Sequence, residues 1–105
     1  MLAALIECEA GGESYEGKIA VGSVVMNRKD SNRFPNSVNA VIYQPGQFAP
    51  AMGDSLGLTL LKGATPSCQQ AAKEVLGGKR NVNCLFFKRY TGTEVGTVIG
   101  NHVFY

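Results

Sequence analysis

Residues 2–28, LAALIECEAGGESYEGKIAVGSVVMNR, decide how this chain is read, because they encode two helices of different character on either side of a glycine break. Leu2, Leu5 and Ile6 mark one apolar stripe of the first helix, and the next position on that stripe, seven residues after Leu2, is Glu9. Glu7 lies about 200° away around the same helix, beside Ala3, within reach of water. Ala10-Gly11-Gly12 ends the helix, so Glu9 is expected on its last turn, half-buried, with small residues leaving space in front of it. Burial disfavours the ionised form of a carboxyl and raises its pKa, which keeps a proton donor available at neutral pH. Glu9 is therefore the candidate catalytic residue, as a general acid. The competing reading is a glutamate that reaches solvent or pairs with a lysine or arginine at a helix end.

Outward from this stretch, Ser14 is placed to cap the second helix, with Glu16 in its first turn, and the helix is expected over Tyr15 to Asn27. Ile19, Ala20, Val21, Val24, Val25 and Met26 make it apolar nearly all round, which suits a central buried helix. Gly22 and Ser23 are small enough for a backbone or a ligand to come close, while Arg28, Lys29 and Asp30 mark the wet end. Asn36 or Ser37 caps a third helix whose inner face is Val38, Val41 and Ile42, and Tyr43-Gln44-Pro45-Gly46 stops it. From Gln47 to Gly63 the glycines and Pro50 predict an irregular loop, of a length that is usually functional or mobile. Thr65-Pro66 starts a helix carrying Cys68, Ala71, Ala72, Val75 and Leu76, which Gly77-Gly78 closes. Beyond it, Leu85-Phe86-Phe87, Thr97-Val98-Ile99 and Val103-Phe104-Tyr105 predict a short antiparallel β-meander. The fold class is α+β: a helical lobe followed by a small C-terminal antiparallel sheet, with a ligand cleft expected between the two.

Size and composition narrow the function. A chain of 105 residues forms one domain, residues 1–105, with a single modest core. Hydrophobic residues at 45% and charged residues at 17% fit a globular protein, and no apolar run approaches the ~20 residues of a membrane span. Residues 1–6 are apolar but lack a basic leader, so no export signal is read in this chain. A net charge of +2 is too weak for nucleic acid and suits an anionic polymer. Cys8, Cys68 and Cys84 show neither CxxC spacing nor paired histidines, which argues against zinc. One histidine, His102, makes a histidine metal cage or a Ser-His-Asp triad hard to build, and no phosphate-binding glycine motif is present.

Several separated motifs, in order, resemble the SleB-type cell-wall hydrolases, the catalytic domains of spore cortex-lytic enzymes and related bacterial proteins. They are Glu9 to Gly17, Ile19 to Arg28, Phe34-Pro35-Asn36, Val41-Ile42-Tyr43-Gln44-Pro45 with Phe48, and Ile99-Gly100-Asn101-His102-Val103-Phe104. The resemblance covers nearly the whole chain. It implies a lysozyme-like fold and lytic-transglycosylase cleavage of peptidoglycan between N-acetylmuramic acid and N-acetylglucosamine, outside the cytoplasm, in wall or spore cortex. It also implies that Glu9, which opens the Glu-Ala-x-Gly-Glu motif, is the catalytic glutamate. The chain departs from the pattern over Gln47 to Gly63, has Gly11 where arginine is common, and contains no tryptophan, so sugar stacking falls to tyrosine or phenylalanine.

A lytic transglycosylase needs one carboxyl, because the substrate's own C6 hydroxyl is the nucleophile; an ordinary hydrolase adds a second carboxylate. Tyr43, Gln44 and Phe48, just after the third helix, are the expected groove wall, with Ser23 and Asn101 as further substrate-binding candidates and His102 beside them. The expected partner is a peptidoglycan glycan strand, met by a monomer without cofactor, metal, nucleic acid or membrane span. Two alternatives remain: a hydrolytic muramidase using Asp54 or Glu13 as the second acid, and a non-catalytic peptidoglycan-binding module.

Overall fold

The computed structural model describes residues 1–45 and 47–105, without the side chains of Pro50 and Met52; Gly46, in the expected stop after the third helix, lies outside them. Six helices precede three strands: α1 (Leu2–Ala10), α2 (Tyr15–Asp30), α3 (Val38–Ile42), α4 (Ala49–Met52), α5 (Ser55–Lys62), α6 (Pro66–Leu76), β1 (Phe87–Arg89), β2 (Thr97–Ile99) and β3 (His102–Phe104). The α+β reading, a helical lobe followed by a small antiparallel sheet, is what the coordinates show.

The central helix is α2. The Ser14 hydroxyl caps it by accepting the Gly17 N–H at 3.1 Å, and Glu16 in its first turn complements the helix dipole. Ile19, Ala20, Val21, Val24 and Val25 are buried on all sides by α1, α3 and α6. Gly22 makes this packing close: a Cβ there would meet Val75 Cγ2 at 2.9 Å and Ile6 Cδ1 at 3.2 Å. A polar stripe on α2 holds the irregular segment that follows α6. The Ser23 hydroxyl accepts the Asn81 N–H at 3.3 Å, and the Asn27 amide donates to the carbonyls of Val82 and Cys84, both at 3.0 Å. Buried backbone without regular structure needs such partners, and these bonds lead the chain from α6 into β1.

Two expectations are corrected. The stretch from Gln47 to Gly63 is not irregular, because it contains α4 and α5. Its glycines and proline argued for a loop, yet Leu56 is 1% exposed in the core and the Cys8 thiol lies 3.3 Å from the Thr59 hydroxyl, so contact with α1 overrides weak local propensity. The sheet is not a meander either. Its order is β1-β3-β2, both pairings antiparallel, with Phe87 and Thr97 flanking Phe104, and Arg89 and Ile99 flanking His102. The tight turn at Gly100 (φ 58°) forces β2 and β3 together, while the longer β1–β2 connection, with Gly92 at φ 106°, lets the final strand enter the middle. Reciprocal backbone bonds of 2.9 Å between Phe86 and Tyr105 extend the β1–β3 pairing.

Because stiff β-branched Val75 faces Gly22, the Gly22→Val variant should lower stability by about 1–3 kcal/mol through overpacking, read as a lower urea midpoint at unchanged slope.

Candidate active site

A cavity of about 280 Å³ opens where the end of α1, the segment before α4 and the sheet converge. Glu9 from α1 lines one side, Gln47, Phe48 and Ala49 another, and Phe87, Lys88, Arg89 and His102 the sheet side, with Arg28 of α2 beneath. Glu9 is half-buried, and burial is the one cause that moves its carboxyl, pushing it above the usual glutamate range; no donor or cation offsets it among the described residues. This is the environment the stripe Leu2, Leu5, Ile6, Glu9 anticipates: the carboxyl follows the apolar face inward and the chain turns away just beyond it.

The neighbouring acids have different surroundings. The Glu7 carboxylate accepts the Thr65 N–H at 2.7 Å, tying α1 to the start of α6, and that bond holds it below the usual range. Glu13 accepts both the backbone N–H and the side-chain amide of Asn101 at 2.9 Å, which likewise lowers it. Asp54 sits in a separate hollow with Gly53, Gly57, Leu58 and Leu61. Among the described residues, Glu9 is the one carboxylate that lines the cavity.

Of the expected substrate-contacting residues, Phe48 is brought to Glu9: it is 2% exposed, with its ring 6.1 Å from that of Phe87. Tyr43 is exposed and Gln44 half-buried, and neither lines the cavity. Ser23 is fully buried, its hydroxyl donating to the Ile19 carbonyl at 2.7 Å, and it does not line the cavity. Asn101 gives its amide hydrogens to Glu13 and pins the β2–β3 turn beside the cavity. The three thiols are free.

Sequence reading missed Arg28, which it put at the wet end of α2. Arg28 is 3% exposed. Its guanidinium lies 5.0 Å from the centre of the Phe34 ring and 5.1 Å from those of Phe48 and Phe86, while Nε donates to the Leu85 carbonyl at 2.6 Å and Nη1 to Gln47 Oε1 at 2.9 Å. The partners come from three distant segments, so only their shared aromatic character hinted at the cation between them. His102, at 13% side-chain exposure, presents its ring edge-on to Phe87 at 5.4 Å.

Comparison with known proteins shows the family and the fold of the chain. Residues 12–105 match the family described as Cell Wall Hydrolase, a span that starts just after Glu9. The spore cortex-lytic enzyme of Bacillus subtilis (strain 168) is 48% identical over 48 residues, which are 46% of this chain and 16% of that enzyme. The spore cortex-lytic enzyme of Bacillus cereus is 37% identical over 59 residues, 56% of this chain and 23% of that enzyme; the matched stretch is thus under a quarter of either relative. The fold is similar to the catalytic domain of the germination-specific lytic transglycosylase SleB from Bacillus anthracis, with a TM-score of 0.81 and 28% identity, covering 98% of this chain and 88% of that one. The catalytic domain of the Bacillus cereus SleB protein gives a TM-score of 0.82 at 26% identity, covering 98% and 84%.

A carboxyl whose folded pKa is raised favours the fold most below its unfolded pKa, and that contribution is lost as pH rises through the folded value. Glu9→Gln, neutral at every pH, should therefore be at least as stable as the parent at pH 7, with the difference vanishing near pH 3; urea midpoints at the two pH values check this.

Proposed function

Because the chain belongs to the cell wall hydrolase family, we propose that it cleaves the β-1,4 bond between N-acetylmuramic acid and N-acetylglucosamine in peptidoglycan, as a lytic transglycosylase acting outside the cytoplasm. The observation that carries this reading is a half-buried Glu9, its pKa raised, as the lone carboxylate on a sugar-sized cavity among the described residues. Glu9 protonates the glycosidic oxygen as the bond from that oxygen to the muramic C1 breaks, and the glucosamine end leaves as an alcohol. The carboxylate so formed takes the proton of the muramic C6 hydroxyl as its oxygen bonds to C1. A 1,6-anhydro ring closes without water, and Glu9 is protonated again for the next turnover.

The positions of the other acids support this path over hydrolysis. Glycosidases of the usual kind set two carboxyl groups about 5–9.5 Å apart on either side of the bond. Here Asp54 lies in a different hollow and Glu13 is held by Asn101. Half-buried Phe87 offers an apolar face on which a pyranose ring can lie, with Phe48 packed behind it, in a chain without tryptophan. Both relatives are named for the spore cortex, and the similar SleB domain of Bacillus anthracis is described as germination-specific; the corresponding substrate here is a wall or cortex strand.

Glu9→Gln should reduce release of soluble fragments from purified cell wall by about 10²–10⁴-fold while leaving circular dichroism unchanged. Products of the parent should carry anhydromuramic ends by mass spectrometry. Reducing ends with water added would favour the hydrolytic muramidase, and a fully active Glu9→Gln would remove Glu9 from the reaction. Activity should also fall as pH rises through the raised Glu9 value, since the proton to be delivered is then gone.

A further inference from the structure

Glu13 and His102, 89 positions apart, meet at the edge of the same cavity. His102 Nδ1 is 3.8 Å from Glu13 Oε1, and the two side chains are 13% and 11% exposed. That nitrogen is buried and has no hydrogen-bond partner among the described residues, a costly state for a polar atom. Glu13 is not free to swing away: Asn101 holds both its oxygens, and a Cβ at Gly100 would come within 2.3 Å of Oε1. The imidazole is fixed too, edge-on to Phe87 and Phe104. With Nδ1 turned toward Glu13, the opposite nitrogen, Nε2, is the one left for the cavity that the side chain lines.

We propose that His102 contacts the glycan strand as a neutral hydrogen-bond acceptor through Nε2, opposite Glu9, and that Glu13 is the positioning residue that fixes its tautomer. This rests on the reading of Glu9 as the general acid. The chemistry asks for such a group. As the glycosidic bond breaks, positive charge develops on the sugar ring, and an imidazolium there would repel it, whereas a neutral imidazole backed by a carboxylate does not. In unliganded sites such contacts are often long and shorten when substrate binds, which suits the 3.8 Å separation. A carboxylate behind a histidine also selects which nitrogen carries the proton, here Nδ1.

The charged groups around His102 are Glu13, Arg89 paired with it in register on β1, and Glu9, Arg28 and Lys88 on the same cavity. Burial lowers the His102 pKa most, the Glu13 charge opposes that, and Arg89 adds to it, so the ring is neutral at neutral pH. Among the described residues on the cavity or at its edge, the acid-range groups are Glu9, raised by burial, His102, and Glu13, held below the ordinary carboxyl range by Asn101. With protonated Glu9 as the acid, an acidic limb in the pH profile of kcat/KM that lies above the lowered Glu13 value belongs to His102.

The test uses the fact that this chain contains one histidine, whose ring signals are identified without assignment. Nitrogen-correlated NMR should show the Nδ1–H tautomer in the parent and a mixture in Glu13→Gln, where the ring should also titrate at lower pH. An alternating N-acetylglucosamine–N-acetylmuramic acid tetrasaccharide, added to Glu9→Gln to prevent turnover, should shift the His102 ring signals. In activity assays, His102→Ala should lower kcat/KM about tenfold, the size of one neutral hydrogen bond. His102→Gln, which keeps an acceptor near Nε2, should recover most of that loss and lack the acidic limb. Ring signals unmoved by the tetrasaccharide, or an acidic limb that persists in His102→Gln, would overturn this inference and leave Glu9 untouched. Full activity in Glu9→Gln would instead overturn the reading on which it rests.

Discussion

The sequestered charge of Arg28 is the interaction on which the rest of the structure depends. An arginine beside a half-buried glutamate would ordinarily pair with it and hold the carboxylate ionised. Here the guanidinium is surrounded by Phe34, Phe48 and Phe86, with its N–H groups directed to the Leu85 carbonyl and to Gln47. It thereby fastens the segment before α4 and the approach to β1 onto the end of α2, which builds two walls of the cavity. The same contacts turn the cation away from Glu9, which is left with burial as the one influence on its proton. A stacked role that also directs two N–H groups to separate acceptors uses the planar guanidinium, which a lysine ammonium cannot replace.

Three glutamates within seven positions show how far surroundings outweigh residue type. Glu7 faces the start of α6 and is held ionised by the Thr65 N–H; Glu13 is held ionised by Asn101; Glu9, between them, meets neither. Their separation comes from the helix itself, since Glu7 and Glu9 lie on different faces of α1 and Glu13 lies beyond its end. One short stretch therefore supplies two structural ties and one proton donor. The ties hold α6 and the β2–β3 turn in the places from which the cavity is built.

Much of this was legible in the residues. The apolar stripe running into Glu9, the Ser14 cap, the apolar circumference of α2 and the Thr65-Pro66 start all express local rules, and the elements form where those rules put them. What was not legible depended on distant partners. Helix α5 contains Gly57 and reads as a loop until Leu56 and Thr59 meet α1. The order β1-β3-β2 depends on which strands the turn at Gly100 joins, and three short β-rich runs do not specify it. Ser23 and Asn101 carry the polar groups a sugar site needs, yet those groups are taken by Ile19, Asn81 and Glu13, which are remote in sequence or a full turn away. Arg28 and His102 acquire their roles the same way, through partners no spacing rule connects.

The account stands on the protonation of one carboxyl, and that can be read directly. Carbon-13 NMR of the side-chain carboxyls, with Glu9 assigned by comparison with Glu9→Gln, follows its titration between about pH 3 and pH 9. A midpoint clearly above the ordinary glutamate value of 4.5, with Glu7 and Glu13 below it, is the result predicted here. A Glu9 midpoint at or below 4.5 would contradict it, because the side chain would then reach the glycosidic oxygen with no proton to give.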